Sequence, residues 1–534
     1  MQKTTSPTTP GVWPAFLNKF GAFIQGTLCG WDRLRLRGTL RHLFQPTVME
    51  AYLNACRVLI KDFGQLAESL TLKVKAAAYA TAEKLGRPLL YLPSSQTDQG
   101  ELAEKIAQRE GIKDGLIAIF SCVEPCLSYV VRGNRQTKEI HLELTQRKCL
   151  HFYHYYQHAQ FGLMHVRVQS WFPFTVDISL NGRHWLARQM DQAGIAYRQR
   201  GNCFVWISDW GQAQALMDQQ IQTDWSRVLG PILDQTHPLH REIARPIAQE
   251  YYWTASSTEY ATDVVFQQAA DLAKLYPCLV HHGISSFSCR DVMRFLGRRV
   301  PEKTGKVHAK FQGEIISDVK ERPEGIRLKH SLNGNSLKLY DKEGRVLRTE
   351  TTIDHTLEFR VYRTSERDPE GKLGWRPLRR GVADLPRRAS VSQAANNRYL
   401  TALAAVTGTT PLSQLVNRVC TAVTREGLRY RGLRPWSEQD GRLLEILSQG
   451  EAMINGFRNR DLRSQLYPRH QLVGQQTKRA AAVTRKLRLL RAHGLIRKVS
   501  GTHRYVVTEN GRIILTALMA ARKADVNQLT KMAA

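Results

Sequence analysis

Acidic residues and membrane-length apolar runs are both scarce in this chain of 534 residues. Asp and Glu number 47 against 77 Lys and Arg, a formal charge of +30 with a pI near 10.0. No apolar run approaches the ~18 residues of a membrane span. Met1 to Pro14 is rich in Thr and Pro and lacks the basic-then-apolar layout of a secretory signal. Nine scattered cysteines, an odd count, do not outline a disulfide framework, so a reducing cytoplasmic setting is expected. No G-x-x-x-x-G-K-[ST] occurs, which disfavours P-loop helicases and ATPases. There is no His-x-His pair either. Apolar residues still make up 42%, enough for real cores, so a disordered basic tail is excluded.

An excess of 30 positive charges calls for a polyanionic partner. A membrane surface would need a basic amphipathic helix with bulky apolar residues opposite the charge, and no strong case is present. Nucleic acid is the expected partner: DNA, double-stranded or single-stranded, with RNA open. The bland alternative is a basic enzyme that binds no polyanion.

Along the chain, residues 1–45 read as a basic N-terminal arm, in which Arg33, Arg35 and Arg37 alternate with Leu34 and Leu36 and can share one face. Residues 46–210 read as an α+β domain: a long helix from Thr47 to Leu85, a buried strand at Leu89–Leu92, a charged helix over 99–111, then hairpins and strands to Ile207. Residues 211–300 read as helical, including Glu259 to Lys274. Residues 301–365 form a central β module, with strands turning at Asn333-Gly334 and Glu343-Gly344. Residues 366–436 are a basic linker and helix, and 437–534 a last domain.

That last domain has a readable order. Ser437 caps a helix to Leu447, and Arg460 to Leu466 is a second. Gln475 to His493 is a third, ended by Gly494. Leu495–Val499 and Tyr505–Thr508, turning at Ser500-Gly501, form a two-stranded wing before a closing helix. No Asp or Glu occurs from Leu462 to Thr508, whereas Lys478, Arg479, Arg485, Lys486, Arg488, Arg491, Arg497, Lys498 and Arg504 crowd the third helix and wing. Leu487, Leu490 and Ile496 can face a core. This order, through LRLLRAHGLIRKVSGTHRYVVTENGRIIL, resembles the winged helix-turn-helix family of DNA-binding domains. The resemblance implies a third helix seated in the major groove on an apolar back. The fold class expected is α+β and multidomain, with mixed helical and antiparallel β N-terminal and central parts and a C-terminal winged helix.

The central module gathers chemistry. Lys338 and Tyr340 share a face of one strand, and Arg348, Glu350 and Thr352 share a face of the next. The run Lys338-x-Tyr340-x-Lys342 followed by Arg348-x-Glu350 resembles a short segment of rolling-circle replication initiators, without the paired histidines typical of them. Two chemistries fit. Tyr340 can attack a phosphodiester with Arg348 or Lys342 stabilising charge, or Asp318, Glu321 and Glu350 can hold Mg²⁺ with Lys342 near the phosphate. The bland reading is a basic hairpin that meets nucleic-acid backbone.

Cys122 and Cys126, with Cys149 and His151, offer the donor types of a structural Zn²⁺ site, against the commoner reading of core thiols. The nearby rings of Phe152, Tyr153, Tyr155 and Tyr156 can stack bases or fill a core. Together these features suggest a DNA-transacting factor of a mobile element or plasmid, in replication initiation, recombination or strand cleavage. The alternatives are a regulator or partition factor without chemistry and a structured-RNA-binding protein. Oligomeric state is open.

Overall fold

Alternating apolar and polar residues from residue 24 onward form long strands in the computed structural model of the chain. The structure describes residues 14–93, 98–134, 136, 139–298, 315–322, 325–365, 368, 370–404, 412–448, 452, 456–467, 476–499 and 502–523. By internal packing the chain divides into two units. The larger is Gly26–Val265 with Glu350–Gln393; the smaller is Met1–Gln25, Phe266–Thr349 and Ala394–Ala534. Helix and strand mix in both, as expected for α+β. Among the described residues no helix is long and apolar enough to cross a membrane.

After helix α1 (Pro14–Phe20), the larger unit opens with β1 (Ile24–Thr39), so the alternating stretch of the expected arm is a strand. Its outward arginines alternate with buried Leu34 and Leu36, as the sequence suggested. The expected long helix is two, α2 (Pro46–Ala55) and α3 (Phe63–Lys84), because Arg57 takes a left-handed φ of 58° between them. Strand β2 (Leu89–Tyr91) is an exposed edge rather than buried, and it pairs parallel with β3. After α4 (Gln99–Glu110), β3 (Gly115–Gly133) and β4 (Ile140–His158) run 19 residues each as one long antiparallel hairpin. Next come β5 (Gly162–Gln169) and β6 (Thr175–Asn181).

Asn181-Gly182, a turn signal in the sequence, instead starts helix α5 (Gly182–Ala193): the Asn181 side chain accepts from the amides of Arg183 and His184. Gly182 is required there, because a Cβ would fall 1.9 Å from the Trp31 carbonyl oxygen. The hairpin of β7 (Tyr197–Arg200) and β8 (Cys203–Ile207) follows, then α6 (Trp210–Ile221), α7 (Trp225–Thr236) and α8 (His240–Ala244). Residues 252–266 are the strand β9 (Tyr252–Phe266), not the start of the helix expected from Glu259. The helix begins later, as α9 (Ala269–Ser285). Within the larger unit the strand order is β9, β1, β6, β5, β4, β3, β2.

The smaller unit continues with α10 (Cys289–Phe295), whose Ser288 and Asp291 form an N-terminal cap. A meander follows: β10 (Ile315–Arg322), β11 (Gly325–Leu332), β12 (Asn335–Lys342) and β13 (Val346–Ile353), in that spatial order. Its turns fall at Asn333-Gly334 and Glu343-Gly344 as expected, all four residues at positive φ. Along β13 the chain passes from the smaller unit into the larger at Glu350. The larger unit then adds a separate hairpin, β14 (Arg360–Arg363) with β15 (Gly374–Pro377), before α11 (Leu385–Leu403).

The C-terminal part of the smaller unit comprises α12 (Leu412–Cys420), the pair β16 (Val423–Arg425) and β17 (Leu428–Tyr430), α13 (Glu438–Ser448), β18 (Phe457–Arg458), α14 (Asn459–Leu466), α15 (Gln476–Ala492), β19 (Ile496–Lys498), β20 (Arg504–Val507) and α16 (Glu509–Lys523). Its three-stranded sheet has the order β18, β20, β19. Leu443, Leu447, Leu487, Leu490, Leu515 and Leu518 pack in one apolar cluster under it. The expected turn at Ser500-Gly501 lies outside the described residues.

Candidate nucleic-acid interface and acidic centre

Helix α15 buries Val483, Leu487 and Leu490 and turns Lys478, Arg485 and Arg488 to solvent. Four contacts hold it in place. Asn459, at the start of α14, donates to the Ala480 carbonyl at 3.1 Å and the Thr484 hydroxyl at 3.0 Å. Arg479 lies over the Tyr467 ring at 5.5 Å. Gly494, at φ 69°, ends the helix, and Leu495 returns its amide to the Leu490 carbonyl at 3.0 Å. On the hairpin that follows, Arg497 and Lys498 are exposed and Arg504 is half-buried.

The cations named from the sequence are therefore not equivalent. Lys486 is half-buried, and desolvation lowers its pKa against the opposing pull of Asp440. Asp440 in turn accepts both Arg431 amino groups, at 2.7 and 2.9 Å, and the Arg434 amide at 2.9 Å. The Arg491 backbone carbonyl is taken by Arg425. The exposed set is Lys478, Arg485, Arg488, Arg497 and Lys498.

The five residues proposed for catalysis lie on β10, β12 and β13. Asp318, Tyr340, Lys342 and Arg348 belong to the smaller unit and Glu350 to the larger. Asp318 lies among cations, with Lys320 at 3.5 Å and Arg327 at 3.6 Å, and Arg327 pairs across the strands with Tyr340. Tyr340 is 8% exposed, with the Lys342 ammonium 5.2 Å from its ring centre. Arg348 is fully buried. Among the described residues, no metal-sized group of carboxylates includes the Asp318 and Glu321 read from the sequence as Mg²⁺ ligands; Asp318 lies near Lys320 and Arg327, and Glu350 meets other carboxylates.

Those carboxylates are Asp32 on β1 and Glu259 on β9. Ligand oxygens of Asp32, Glu259 and Glu350 lie within 4.8 Å of one another, the single such group of His, Cys, Asp and Glu among the described residues. Asp32 and Glu350 are buried. Asn202 donates to both oxygens of Asp32, at 3.0 and 3.1 Å, and Arg33 approaches Glu259 at 3.8 Å. Three converging carboxylates suit a hard divalent cation such as Mg²⁺. Sequence reasoning missed Asp32 by taking it for part of an arm and Glu259 by placing it on a helix. The β-branched and aromatic run Thr258, Tyr260, Thr262, Val264, Val265, Phe266 was the available strand signal.

The cysteine set does not converge as four ligands. Cys126 and Cys149 share a hydrogen bond that draws Cys126 down and raises Cys149, and the Cys149 sulfur is 3.9 Å from His151 Nδ1. The Cys122 thiol instead donates to Glu124 at 3.4 Å, and burial, then Glu124, push it up to about 11. All four residues sit on β3 and β4, and all the cysteines are free. The aromatic rings nearby are divided: Phe152, Tyr155 and Tyr156 are buried, and Tyr153 donates to Glu124 at 2.7 Å.

The outer face of β1, β6 and β5 carries a charged chain: Arg37 to Asp177 at 2.7 Å, Asp177 to Arg167 at 2.7 Å, and Arg167 to Glu124 at 2.7 Å. The larger unit also holds a cavity of about 850 Å³ lined by Arg33, Glu104, Asn181, His184, Arg188 and Asn202, among others. Its walls carry both charge signs. No family model, no curated protein and no solved structure matches this chain.

Proposed function

We propose that the chain is a DNA-binding protein whose C-terminal part, Glu438 to Lys523, is a winged helix that seats α15 in the major groove of duplex DNA. The observation that carries the reading is α15 itself: an apolar back in the leucine cluster and Lys478, Arg485 and Arg488 in solvent opposite it. The sequence of elements agrees, with helix, short strand, two helices, hairpin and closing helix around a sheet ordered β18, β20, β19. Arg497 and Lys498 on the hairpin add cations that can meet the flanking phosphates. The wider role we infer is that of a DNA-transacting factor of a mobile element or plasmid. The larger unit far exceeds what a simple DNA-docking module needs, and its acidic centre has the donors for Mg²⁺.

The test is anisotropy of labelled duplex DNA, single-stranded DNA and RNA over a salt series, with and without Mg²⁺, and the same mixtures on a denaturing gel. With 6–10 phosphate contacts, affinity for duplex falls roughly 10³–10⁵-fold between 50 and 200 mM salt. Replacing Lys478, Arg485 and Arg488 together by Ala flattens the log–log slope by about one per residue lost. A flat plot for the wild type, or an unchanged slope in the triple variant, overturns the reading. Mg²⁺-dependent cleavage lost in Glu350→Gln assigns the acidic centre to strand cleavage; no cleavage on any substrate retires that role.

A further inference from the structure

Residues 359–388 of the larger unit hold eight arginines and one lysine against four acidic residues. At their centre is the hairpin of β14 and β15, which pairs Arg360 with Pro377, Val361 with Arg376, Tyr362 with Trp375 and Arg363 with Gly374. Alternation turns Val361 and Arg363 inward, where both are buried, and sends Arg360, Tyr362 and Trp375 outward. Tyr362 is 58% exposed and Trp375 61%. Their ring centres are 5.6 Å apart with planes tilted by 57°. Two large rings side by side belong in a core or at a binding surface, because each otherwise leaves a broad apolar face in water.

The hairpin is anchored at its base. Arg363 donates to the Thr364 carbonyl at 3.1 Å and the Pro377 carbonyl at 3.2 Å. Leu378 donates to Phe359 at 3.0 Å, and Ala255 of β9 donates to the Arg380 carbonyl at 2.8 Å. The rings are thus presented on a fixed backbone, which lowers the entropy lost when a ligand stacks on them.

Arginine outnumbers acid around the rings, although Asp368 and Glu370 stand exposed on the loop between the two strands. Asp384 is engaged, accepting from the Arg379 amide at 2.9 Å and from Arg387 at 2.8 Å. Burial, then the neighbouring Arg363 and Arg387, lower the pKa of Arg379. Burial, with Arg380 adding to it, brings Arg388 down to about 10. Guanidinium groups crowded in this way favour an anion that neutralises them. Arg360 and Arg380 are the exposed members on the flanks.

We propose that the β14–β15 hairpin is a stacking platform for unpaired bases of single-stranded nucleic acid, with Tyr362 and Trp375 taking the bases and Arg360 and Arg380 the phosphates. Paired bases are stacked on each other and hide their faces, so a ring pair on a sheet surface selects the unpaired state. The cationic surround selects a polyanion over an apolar or proline-rich peptide. This site is distinct from α15, which we read as contacting duplex.

The test uses the full chain with fluorescein-labelled oligo-dT, oligo-U and a duplex of equal length. Tyr362→Ala and Trp375→Ala each weaken single-strand binding roughly 10–100-fold and leave duplex binding unchanged. Trp375→Phe, which keeps a ring, retains most of the affinity and serves as the folded control alongside circular dichroism. The oligo-dT and oligo-U arms tell which backbone is taken. Single-strand affinity unchanged in both Ala variants overturns the proposal. So does Trp375-dependent binding to anionic phospholipid vesicles without oligonucleotide binding. Duplex binding that fails while Trp375-dependent single-strand binding persists sinks the winged-helix reading alone; the reverse pattern sinks this one alone.

Discussion

Helix α15 and the central strands of the larger unit both carry arginine, under opposite physical conditions. On α15, Arg485 and Arg488 stand in water above a leucine-rich back. In the larger unit, Arg183 and Asp263 meet at 2.9 Å with side chains 0% and 2% exposed, and the Arg183 Nε and Nη1 have no hydrogen-bond partner. A solvated guanidinium costs almost nothing to keep and is available to a ligand. A buried one has lost its hydration, and only the opposing carboxylate offsets that loss. The first kind of charge is open to a ligand and the second holds the strands together, so substitutions separate them.

The largest effect is expected at the buried pair. Asp263→Ala leaves Arg183 uncompensated and lowers unfolding stability by about 3–5 kcal/mol in urea. Lys478→Ala and Arg485→Ala stay within about 0.5 kcal/mol of wild type in the same assay. A loss under ~1 kcal/mol at Asp263 would break the contrast.

Acid separates the regions next. Burial pushes His154 and His165 down to about 4 and His237 down to about 3 from an ordinary 6.5. Their folded pKa values lie below the unfolded value, so unfolding takes up protons below pH 6.5. Their contribution is complete above 6.5 and is lost as the pH falls toward 4. A tenfold change in proton affinity corresponds to about 1.4 kcal/mol, so each ring contributes on the order of 2–3 kcal/mol across that window. In the C-terminal part, Asp440 is held below the usual carboxylate range by Arg431 and the Arg434 amide, against the opposing effect of burial. Its contribution is present above the ordinary carboxylate pKa and is lost only at lower pH, as the folded value is reached. Of the ten tryptophans, eight lie between Trp31 and Trp375 in the larger unit. The urea midpoint by tryptophan fluorescence therefore falls between pH 6.5 and 4, and His154→Phe shallows the fall. A midpoint flat over that window contradicts the desolvation of the buried His154 and His237 rings and the half-buried His165 ring.

A smaller effect sharpens the comparison within α15. Arg485→Ala reduces the salt slope of duplex binding by about one, whereas Lys486→Ala leaves it unchanged. Lys486 is the next residue but is half-buried beside Asp440. Equal slopes for the two variants would mean that exposure does not decide which cation reaches phosphate.

The same contrast explains what could be read from the sequence. The C-terminal part was legible because its signals are local: a 3.6-residue apolar period, the Ser437 cap and the Gly494 stop lie within a few residues of what they determine. Hairpins with Asn-Gly or Glu-Gly turns were legible for the same reason. The acidic centre was not, because Asp32, Glu259 and Glu350 meet through strand adjacency between segments far apart in the chain, and no local pattern encodes that order. Within Glu259 to Lys274, apolar residues fall at spacings compatible with a helix, and only sheet neighbours hold Tyr252 to Phe266 extended. The partial burial of Lys486 was not legible for a related reason, since it depends on packing near a carboxylate in another helix, α13.

The smallest effect is expected at Tyr340. The sequence offered it as a nucleophile, and a nucleophile must bring its oxygen to phosphorus in line with the leaving group. Tyr340 is 8% exposed within a buried strand, with Lys342 over its ring and Arg327 opposite it. Tyr340→Phe keeps the ring volume and the face that Lys342 approaches, and removes only one hydroxyl. The expected loss in stability is about 1 kcal/mol or less, the net worth of a typical hydrogen bond. Affinity for every oligonucleotide stays within about twofold, a difference of ~0.4 kcal/mol. On a denaturing gel neither wild type nor variant carries a covalently attached DNA strand. A wild-type adduct that disappears in Tyr340→Phe reverses the assignment: it would require β12 to open and expose the hydroxyl, and the smaller unit would then hold a reacting group that its closed form covers.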